Sequence, residues 1–426
     1  MSWLFGDIPH HWKSSRLDRV ASVNARIGWK ALTADEYQSA GYAFLATPNI
    51  KSSVIDFDQV NYISTYRYEE SPSLKLSIDD VLLAKDGNTL GIVNIVRQLP
   101  RPATVNGSIA LIRACGIHPN YLHFLIASKP LQEHIQSLKD GMGVPHLFQR
   151  DIRRFPVLLP PLEEQRRIAD FLDAETARID RLWMIRDRQR KLLLERFAAE
   201  WGELVARVAT RSEWLPIRRF IQAITDGPFG SSLTSSHYRD EGARVIRLGN
   251  IGRASFKAAS EAFISLDYYR ELRRHAVVPG DLIVAGLGDE NHPVGRACVA
   301  PDGLGPSIVK ADCFRIRFDQ SLLTHQYAAW AMSSPVIAEE VSLLTRGSTR
   351  ARINLGVARE IEIPVPPLSE QARIVSALES RRLEIAAIVG YCERQLEVLT
   401  EQRRALITAA VTGRVDVTTA RGTGTS

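Results

Sequence analysis

The sequence predicts two globular domains of mixed α/β (α+β) type, joined by two long antiparallel coiled-coil helices in an internal pseudo-twofold repeat. Three observations lead to this prediction. A thirteen-residue motif occurs twice, each copy opens a stretch almost free of Gly and Pro, and a block of short β-branched runs precedes each copy. At 426 residues the chain is also too long for one ordinary hydrophobic core.

The repeated motif reads PPLEEQRRIADFL from Pro160 and PPLSEQARIVSAL from Pro366, with eight of the thirteen positions identical. Paired prolines keep the preceding backbone out of a helix, and the glutamates that follow suit the positive end of a helix dipole. The motif therefore predicts the same helix start, used twice. We expect its glutamines, Gln165 and Gln371, to organise structure and assembly.

Each predicted helix runs for about 40 residues, or about 60 Å, and needs a partner. An apolar residue recurs every seven positions in the second helix, with companions between: Ile374, Leu378, Ile385, Ile388, Cys392, Leu399, Leu406 and Ala409. In the first helix Arg186 and Gln189 interrupt a comparable seam: Ile168, Leu172, Ile179, Leu182 and Leu193. Each helix could pack on its own adjacent domain, but their equal length and spacing favour pairing with each other.

The blocks that precede the helices resemble each other more faintly. SIDDVLLAKDGNTLG (77–91) and VVPGDLIVAGLGDENHPVG (277–295) each place an Asp before a short buried-strand pattern and a Gly-rich loop after it. We therefore predict a first domain at 1–155, a helical spacer at 156–210, a second domain at 211–360 and a second spacer at 361–417. The composition of 418–426 predicts a flexible tail.

Composition narrows the class of protein. The apolar fraction of 45% and the charged fraction of 24% are those of a globular protein, and the net charge of +6 is compatible with nucleic acid without requiring it. Four scattered cysteines predict reduced thiols instead of zinc or disulfides. We find no signal-peptide pattern and no apolar run long enough for a membrane span, so we expect a cytoplasmic protein without a membrane partner.

The sequence resembles the specificity (S) subunit of Type I restriction-modification systems over nearly its whole length. IPVPPLSEQARIVSAL (363–378), its copy at 157–172, and the closing ALITAAVTGRVDV (405–417) carry the resemblance. GWKALTADEYQSAGYAFLATPNIK (28–51) and DGPFGSSL (226–233) look like the openings of target-recognition domains in that family.

The resemblance implies a DNA sequence-specificity subunit that binds a bipartite, asymmetric site on double-stranded DNA. Each target-recognition domain would bind one half-site, and the helices would set the spacer. The helices would also dock two modification (methyltransferase) subunits and, through them, restriction (translocase/nuclease) subunits. No cofactor is expected in this subunit, whereas S-adenosylmethionine, ATP and Mg are expected in the partner subunits.

The residues themselves predict a protein without catalytic residues or a metal site. We find no [DNS]PP[YFW] tetrapeptide for adenine methylation, no Gly-rich methyl-donor loop and no P-loop. A stand-alone DNA-modifying enzyme would need such motifs. An adaptor that binds only protein remains the other alternative. The basic run RDRQRKLLLER (186–196) is typical of a solvated helix face, or else lines a DNA channel or partner surface.

Candidate DNA contacts are Arg, Lys, Asn, Gln and small polar residues on loops that follow predicted strands, since these side chains read base edges and phosphates. Any one of them could instead be an ordinary turn residue. The predicted DNA-binding set is Asn49, Lys51, Lys85, Asn88, Thr89, Gln149, Arg150, Ser231, Ser232, Arg247, Asn250, Asp289, Asn291, His292, Arg346, Ser348, Arg350 and Arg352.

The two motif copies supply the predicted partner-docking and helix-start residues, because equivalent helix starts imply equivalent partner contacts. They are Pro160, Pro161, Leu162, Glu164 and Gln165 in the first copy, and Pro366, Pro367, Leu368, Glu370 and Gln371 in the second.

Overall fold

The computed structural model describes residues 2–26, 32–138, 145–289, 291–345 and 351–417. The chain forms two compact units. Unit 1 comprises residues 1–187 and 394–426, and unit 2 comprises residues 188–393. Each unit therefore combines one globular block with part of both long helices.

Nine strands of unit 1 form two sheets and a separate strand pair. The strands are β1 (Lys13–Arg16), β2 (Ala21–Ala25), β3 (Tyr42–Leu45), β4 (Asn61–Ile63), β5 (Val81–Ala84), β6 (Val93–Ile95), β7 (Ala103–Val105), β8 (Ile109–Ala114) and β9 (Pro156–Leu159). The four-stranded sheet has the order β2-β8-β5-β6, the three-stranded sheet has the order β4-β3-β7, and β1 pairs with β9. Strand β5 is buried on both faces, which explains its unbroken apolar sequence.

Most helices of unit 1 share the core of the four-stranded sheet, whereas the short helix that contains Tyr68 packs on the three-stranded sheet. The helices of unit 1 are α1 (Ser2–Phe5), α2 (Thr65–Glu69), α3 (Pro119–Ala127), α4 (Lys129–Leu138), α5 (Gln149–Arg153) and the start of the long helix α6 (Leu162–Ala209). Ile168 and Leu172 of α6 pack into the same core as Tyr121 and Leu125 of α3. The first turns of the long helix are thus part of the globular domain.

Unit 2 repeats this topology. Its strands are β10 (Trp214–Pro216), β11 (Ile221–Asp226), β12 (Tyr238–Arg239), β13 (Ala243–Ile246), β14 (Phe263–Ile264), β15 (Ala276–Val277), β16 (Leu282–Ala285), β17 (Ala297–Val299), β18 (Ser307–Val309), β19 (Cys313–Phe318) and β20 (Glu362–Pro364). One sheet has the order β11-β19-β16-β17, the other has the order β12-β14-β13-β18-β15, and β10 pairs with β20. The parallel pair β13–β18 corresponds to the parallel pair β3–β7.

The helices of unit 2 are α7 (Leu266–Glu271), α8 (His325–Met332), α9 (Pro335–Leu343), α10 (Leu355–Arg359) and the start of the long helix α11 (Leu368–Val411). Ile374 and Leu378 of α11 share a core with Tyr327 and Trp330 of α8. This contact is the counterpart of the packing of α6 on α3 in unit 1.

The long helices pair antiparallel, as predicted. In unit 1, Arg403 near the end of α11 donates to Asp180 of α6 at 3.0 Å. In unit 2, Arg381 near the start of α11 donates to Glu200 of α6 at 2.8 and 3.1 Å. The helices are slightly longer than predicted, with 48 residues in α6 and 44 in α11.

Part of the predicted seam is wrong. Ile374, Leu378, Ile385 and Cys392 are buried, but Ile388 is 36% exposed and Leu182 is 43% exposed. Leu182 lines an open groove of unit 1 together with Ile179 and Leu399, so its position is only half covered. The apolar period predicts which face is inward but not how completely a partner covers it.

The predicted domain boundaries remain predictions. The compact units assign the helix starts to the globular domains, whereas the sequence placed them in separate spacers at 156–210 and 361–417. The tail at 418–426 lies outside the described residues. Within the described ranges, no helix combines the length and apolar character that crossing a bilayer requires.

Candidate nucleic-acid interface

Both units contain the same contact between two distant loops. In unit 1, the backbone N–H of Leu147 donates to the carbonyl of Lys85, and that of Gly87 donates to the carbonyl of Pro145, both at 2.9 Å. We call residues 85–89 and 145–150 the loop pair of unit 1. It lies at the end of the buried strand β5, where the chain leaves the sheet.

The loop pair of unit 2 consists of residues 286–289 and 351–353. The N–H of Ile353 donates to the carbonyl of Gly286, and that of Gly288 donates to the carbonyl of Ala351, both at 2.9 Å. It follows strand β16, the counterpart of β5. The same two backbone hydrogen bonds therefore join both loop pairs, whereas their side chains differ.

In unit 1 the centre of the loop pair is a carboxylate. Asp86 accepts from the buried Lys85 ammonium at 3.2 Å and is hydrogen-bonded to Nδ1 of His146. The hydroxyl of Thr89 donates to the carbonyl of Asp86 at 3.0 Å, and Asn88 is exposed. Of the predicted contacts here, Asn88 is open to a ligand, whereas Lys85 is occupied in an internal ion pair.

The second half of this loop pair carries Gln149 and Arg150. The Gln149 amide donates to the carbonyl of Val23 at 2.6 Å, which ties it to the middle of β2. The Arg150 guanidinium lies 4.8 Å from the centre of the Phe148 ring, and its side chain is 72% exposed. An exposed guanidinium over an exposed aromatic ring provides both charge and a stacking face.

In unit 2 the position that corresponds to His146 holds an arginine, Arg352. Arg352 is held by Asp312, whose Oδ1 accepts from Nε at 2.9 Å and lies 2.8 Å from Nη2. Asp289, Asn291 and His292 form an exposed turn in which Oδ1 of Asp289 accepts from both following backbone N–H groups at 2.9 Å. The hydrogen bond with His292 is the main cause that lowers the pKa of Asp289.

The DGPFGSSL segment lies beside this loop pair. A side chain on Gly227 would come within 2.0 Å of the backbone of Lys310, so only glycine fits there. Burial, and secondarily the nearby Asp312, raises the pKa of Asp226 to about 6, against the effects of a hydrogen bond from Gly227 and of Arg352. Ser231 and Ser232 are exposed in the turn that follows.

Two predicted contacts, Asn49 and Asn250, are buried and hold their own turns together. The side-chain oxygen of Asn49 accepts from Ala46 N–H at 2.8 Å, and its amide donates to the carbonyl of Gln59 at 2.7 Å. Asn250 accepts from Arg247 N–H at 2.9 Å and donates to the carbonyls of Lys257 and Ser260. Their amides face inward, which supports the turn-residue alternative for both positions.

Two further residues adjoin these turns. Lys51 is exposed next to Asn49, in a turn that Asn94 of β6 ties down. The guanidinium of Arg247 donates to the hydroxyl of Ser260 at 2.7 Å. The remaining predicted contacts, Arg346, Ser348 and Arg350, lie outside the described residues.

The helix starts combine a buried glutamine with exposed apolar residues. Gln165 and Gln371 are 3% and 0% exposed, and Pro160 and Pro366 are also buried. In contrast, Leu162 is 49% exposed, Leu368 is 40% exposed, and the adjacent Pro161 and Pro367 are exposed. A partner can therefore reach the second proline and the leucine of each motif, but not the glutamine.

The two glutamates of the helix starts differ. The Glu164 carboxylate accepts from Nε1 of Trp12 at 3.0 Å and contacts His11 at 3.0 Å. Glu370 instead pairs with Arg373 of its own helix at 2.6 Å. Glu164 thus fastens the N-terminal segment to α6, whereas Glu370 only forms an ion pair on the surface of its own helix.

Sequence reasoning missed Asp86, Phe148 and Asp312, and it placed His146 beside Gln149 and Arg150 without including it in the predicted DNA-binding set. Asp86 and His146 lie sixty positions apart, and Asp312 and Arg352 lie forty apart. No local pattern signals such pairs, because a loop-to-loop contact depends on where the sheet places the loop ends.

Comparison with known proteins agrees with this architecture. The family profile for the Type I restriction modification DNA specificity domain matches residues 9–182 and 268–386, which is more than half of the chain. The chain is 20% identical to the type I restriction enzyme MjaVIII specificity subunit of Methanocaldococcus jannaschii over 96% of this chain and 94% of that protein. It is 22% identical to the StySPI specificity subunit of Salmonella potsdam, over 88% and 82% of the two chains.

Among solved structures, a chain from a study of complex assembly and conformational transition of the type I R-M system superposes with a TM-score of 0.69. It is 19% identical and covers 96% of this chain and 100% of that one, so the likeness concerns the fold. The repeated sheets, the paired long helices and the family profile lead to one conclusion. This chain belongs to the type I restriction-modification DNA specificity family, in which it is a non-catalytic subunit with two target-recognition domains that recognises DNA sequence.

Proposed function

We propose that this chain recognises a bipartite, asymmetric site on double-stranded DNA, with one half-site read by each unit through its loop pair. The observation that carries the proposal is that the same two backbone hydrogen bonds join each loop pair, while the side chains they present differ. The shared hydrogen bonds place both loop pairs at the ends of equivalent strands, and different side chains select different bases.

The proposed contact set is the exposed or loop-pair part of the predicted one. In unit 1 it comprises Asn88, Thr89, Gln149, Arg150 and Lys51. In unit 2 it comprises Ser231, Ser232, Asp289, Asn291, His292, Arg247 and Arg352. Asn49, Asn250 and Lys85 are proposed to act indirectly, by fixing the loops that carry the contacts.

We propose that the antiparallel helices fix the distance between half-sites. A helix lengthens by 1.5 Å per residue, so helix length converts directly into distance along the DNA. Ion pairs such as Arg403–Asp180 and Arg381–Glu200 hold the register of the two helices. An insertion of about one turn, four residues within 162–200, is expected to lengthen the DNA spacer and leave both half-sites unchanged.

We also propose that each helix start docks one modification (methyltransferase) subunit, and that restriction subunits join through them. Support comes from the exposed Pro161–Leu162 and Pro367–Leu368 pairs, which occupy equivalent places. S-adenosylmethionine, ATP and Mg would then be bound by the partner subunits. This chain would act in the cytoplasm, where the DNA of a restriction-modification host lies.

A methylome comparison tests DNA recognition. Modified adenines are sequenced in a host that carries the complete system and in the same host without this gene. We expect one bipartite motif to disappear with the gene. If the two methylomes are the same although the modification subunits are made, this chain is not the subunit that directs methylation.

A domain exchange then tests the division of labour. Residues 1–155 are replaced by the corresponding domain of a relative with a different motif, and the methylome is sequenced again. One half-site should change while the other half-site and the spacer stay fixed. A change in both halves would contradict reading by separate units.

Docking is tested with Leu162→Asp and Leu368→Asp in the complex co-expressed with modification subunits. Each single variant should reduce the bound modification subunits from two to one by native mass spectrometry, because a charge replaces an exposed apolar contact. Leu343→Asp is the matched control, since Leu343 is 75% exposed on α9 and lies outside both helix starts. Unchanged stoichiometry in both motif variants would contradict this docking surface.

A further inference from the structure

We infer that Arg352 contacts a guanine in the half-site of unit 2, and that His146 contacts a base edge from the equivalent position in unit 1, each oriented by a neighbouring carboxylate. The inference rests on the proposed function and deepens it, because it separates base contact from phosphate contact. It also states which base Arg352 recognises, and it assigns roles to Asp312 and Asp86.

The equivalence of the two positions follows from the backbone. The segment 145–147 bonds the loop after β5, and the segment 351–353 bonds the loop after β16, through the same pair of hydrogen bonds. The turn before β8 also bonds in the same way as the turn before β19. Lys85 N–H donates to the carbonyl of Ser108 at 2.8 Å, and Gly286 N–H donates to the carbonyl of Asp312 at 2.7 Å.

Arg352 presents the geometry that guanine recognition requires. Asp312 contacts Nε and Nη2 through a single oxygen, so it engages one edge of the planar guanidinium. The other edge, formed by Nη1 and Nη2, can still meet a ligand, because the side chain is 58% exposed. Two parallel N–H donors on a fixed plane match the O6 and N7 acceptors of guanine in the major groove.

The equivalent position in unit 1 is held in a similar way by a different carboxylate. His146 bonds Asp86 through Nδ1, and its side chain is 36% exposed. This contact fixes the ring and leaves Nε2 as the atom that can meet a base. Lys85 shares Asp86 at 3.2 Å, so the carboxylate is itself held in place.

The two carboxylates lie at positions that are not equivalent in the two units. This favours a role in recognition over a packing contact that was duplicated with the repeat. Asp312 precedes β19, where unit 1 has Ser108, whereas Asp86 follows β5, where unit 2 has Leu287. A purely structural pair repeats with the same residues in both units. The ion pair between Arg113 and Asp80 in unit 1 has such a counterpart in unit 2, between Arg317 and Asp281. Both aspartates are nearly fully buried.

The backbone at Asp312 gives a further reason. Its φ is +64°, a left-handed conformation that is uncommon outside glycine but that aspartate tolerates better than most residues. The hydrogen bond from Gly286 N–H and the ion pair with Arg352 are both made from this turn. The turn therefore directs the carboxylate at Arg352.

The test uses the complete complex with Arg352→Ala, Arg352→Lys and Asp312→Asn, and sequences modified adenines genome-wide. In Arg352→Ala, one G·C position in the half-site assigned to unit 2 should become degenerate. Discrimination there should fall on the order of tenfold to a hundredfold, the effect of losing one bidentate contact. The other half-site and the spacer should stay fixed.

Arg352→Lys and Asp312→Asn refine the assignment. Lysine keeps the charge but lacks the planar fork, so it should relax the same position nearly as much as alanine. Asparagine keeps the shape of Asp312 but weakens the hold on the guanidinium, so it should relax that position partly. In unit 1, His146→Ala should relax one position of the opposite half-site.

Several results would overturn the inference. Uniformly weaker methylation with an unaltered motif would indicate a phosphate or structural role for Arg352, and a relaxed position other than G·C would exclude guanine. If Arg352→Ala does not assemble with the modification subunits, Arg352→Lys decides between these outcomes. A wild-type complex without a bipartite motif would instead contradict the proposed function itself.

Arg218→Ala is the matched control. Arg218 is a half-exposed arginine that pairs with Glu360 in the same unit, next to the strand pair β10–β20 and outside the residues of the loop pair. Like Arg352→Ala, this substitution removes one positive charge and one ion pair with a carboxylate. Its motif should equal that of the wild type, so any change specific to the Arg352 variants reports the loop pair.

Discussion

The side-chain oxygen of Gln371 accepts a hydrogen bond from the backbone N–H of Thr324 at 2.9 Å, which locks the start of α11 to the start of α8. Its amide donates to the carbonyls of Leu322 and Pro366 at 2.9 and 3.0 Å. Gln165 makes the equivalent bonds in unit 1, to His118 N–H at 2.8 Å and to the carbonyl of Pro160 at 2.9 Å. One glutamine therefore fastens each long helix to its own domain.

Gln371→Ala should lower the free energy of unfolding by about 2–4 kcal/mol, because it leaves a buried N–H and two carbonyls without this partner. Gln165→Ala should have a similar but smaller effect, since it removes fewer bonds. Urea denaturation followed by circular dichroism measures both. Gln402→Ala, an exposed glutamine on α11, is the control and should change stability little. Equal stability of Gln371→Ala and the control would contradict the lock.

Trp201→Ala should destabilise unit 2 by about 3–5 kcal/mol, the usual effect of removing a buried tryptophan. Trp201 is 3% exposed, and its ring lies 4.9 Å from that of Trp330 in an edge-to-face contact. Trp183→Ala provides the control on the same helix, because Trp183 is 39% exposed and should contribute less than about 1 kcal/mol. Thermal unfolding and near-ultraviolet circular dichroism distinguish the two, and similar losses in both would show that the ring contact contributes little.

Gly227→Ala should disrupt the DGPFGSSL turn, since the new methyl group would meet the backbone of Lys310 and Ala311 at 2.0–2.5 Å. We expect the half-site assigned to unit 2 to be recognised at least tenfold less well, with the modification subunits still bound. Gly249→Ala is the control, because a methyl group there would make only an ordinary contact of 3.8 Å with Ser260. Normal methylation by Gly227→Ala would show that the loop can move without consequence.

Stability should fall as pH rises from about 4 to about 6, owing to Asp226. Burial raises its pKa from 3.8 to about 6, so in this window the folded chain keeps a proton that the unfolded chain releases. Above the folded-state pKa the loss is complete and no longer changes with pH. Asp226→Asn should flatten this part of the profile of unfolding free energy against pH, whereas Asp240→Asn, at an exposed position, should leave it unchanged. An unaltered slope in Asp226→Asn would assign the pH dependence to other groups.

The order of elements could be predicted from the sequence because it depends on local rules. Paired prolines followed by glutamates specify a helix start, and the absence of Gly and Pro afterwards allows a long helix. The fixed offset between Gln165 and Gln371 revealed the repeat, and the run Val81–Ala84 revealed a buried strand. Each of these signals can be read from the linear sequence, so none of them requires knowledge of the tertiary fold.

Only the tertiary structure decided which residues of the candidate site are available to a ligand. Asn49 and Asn250 carry the side chains expected of base contacts, yet the fold turns their amides inward, where they satisfy backbone groups. Conversely, His146 gained its interest from Asp86, sixty positions away, because the sheet brings the two loop ends together. Local sequence specifies which elements form, whereas burial and long-range pairing specify which of their side chains remain free to recognise DNA.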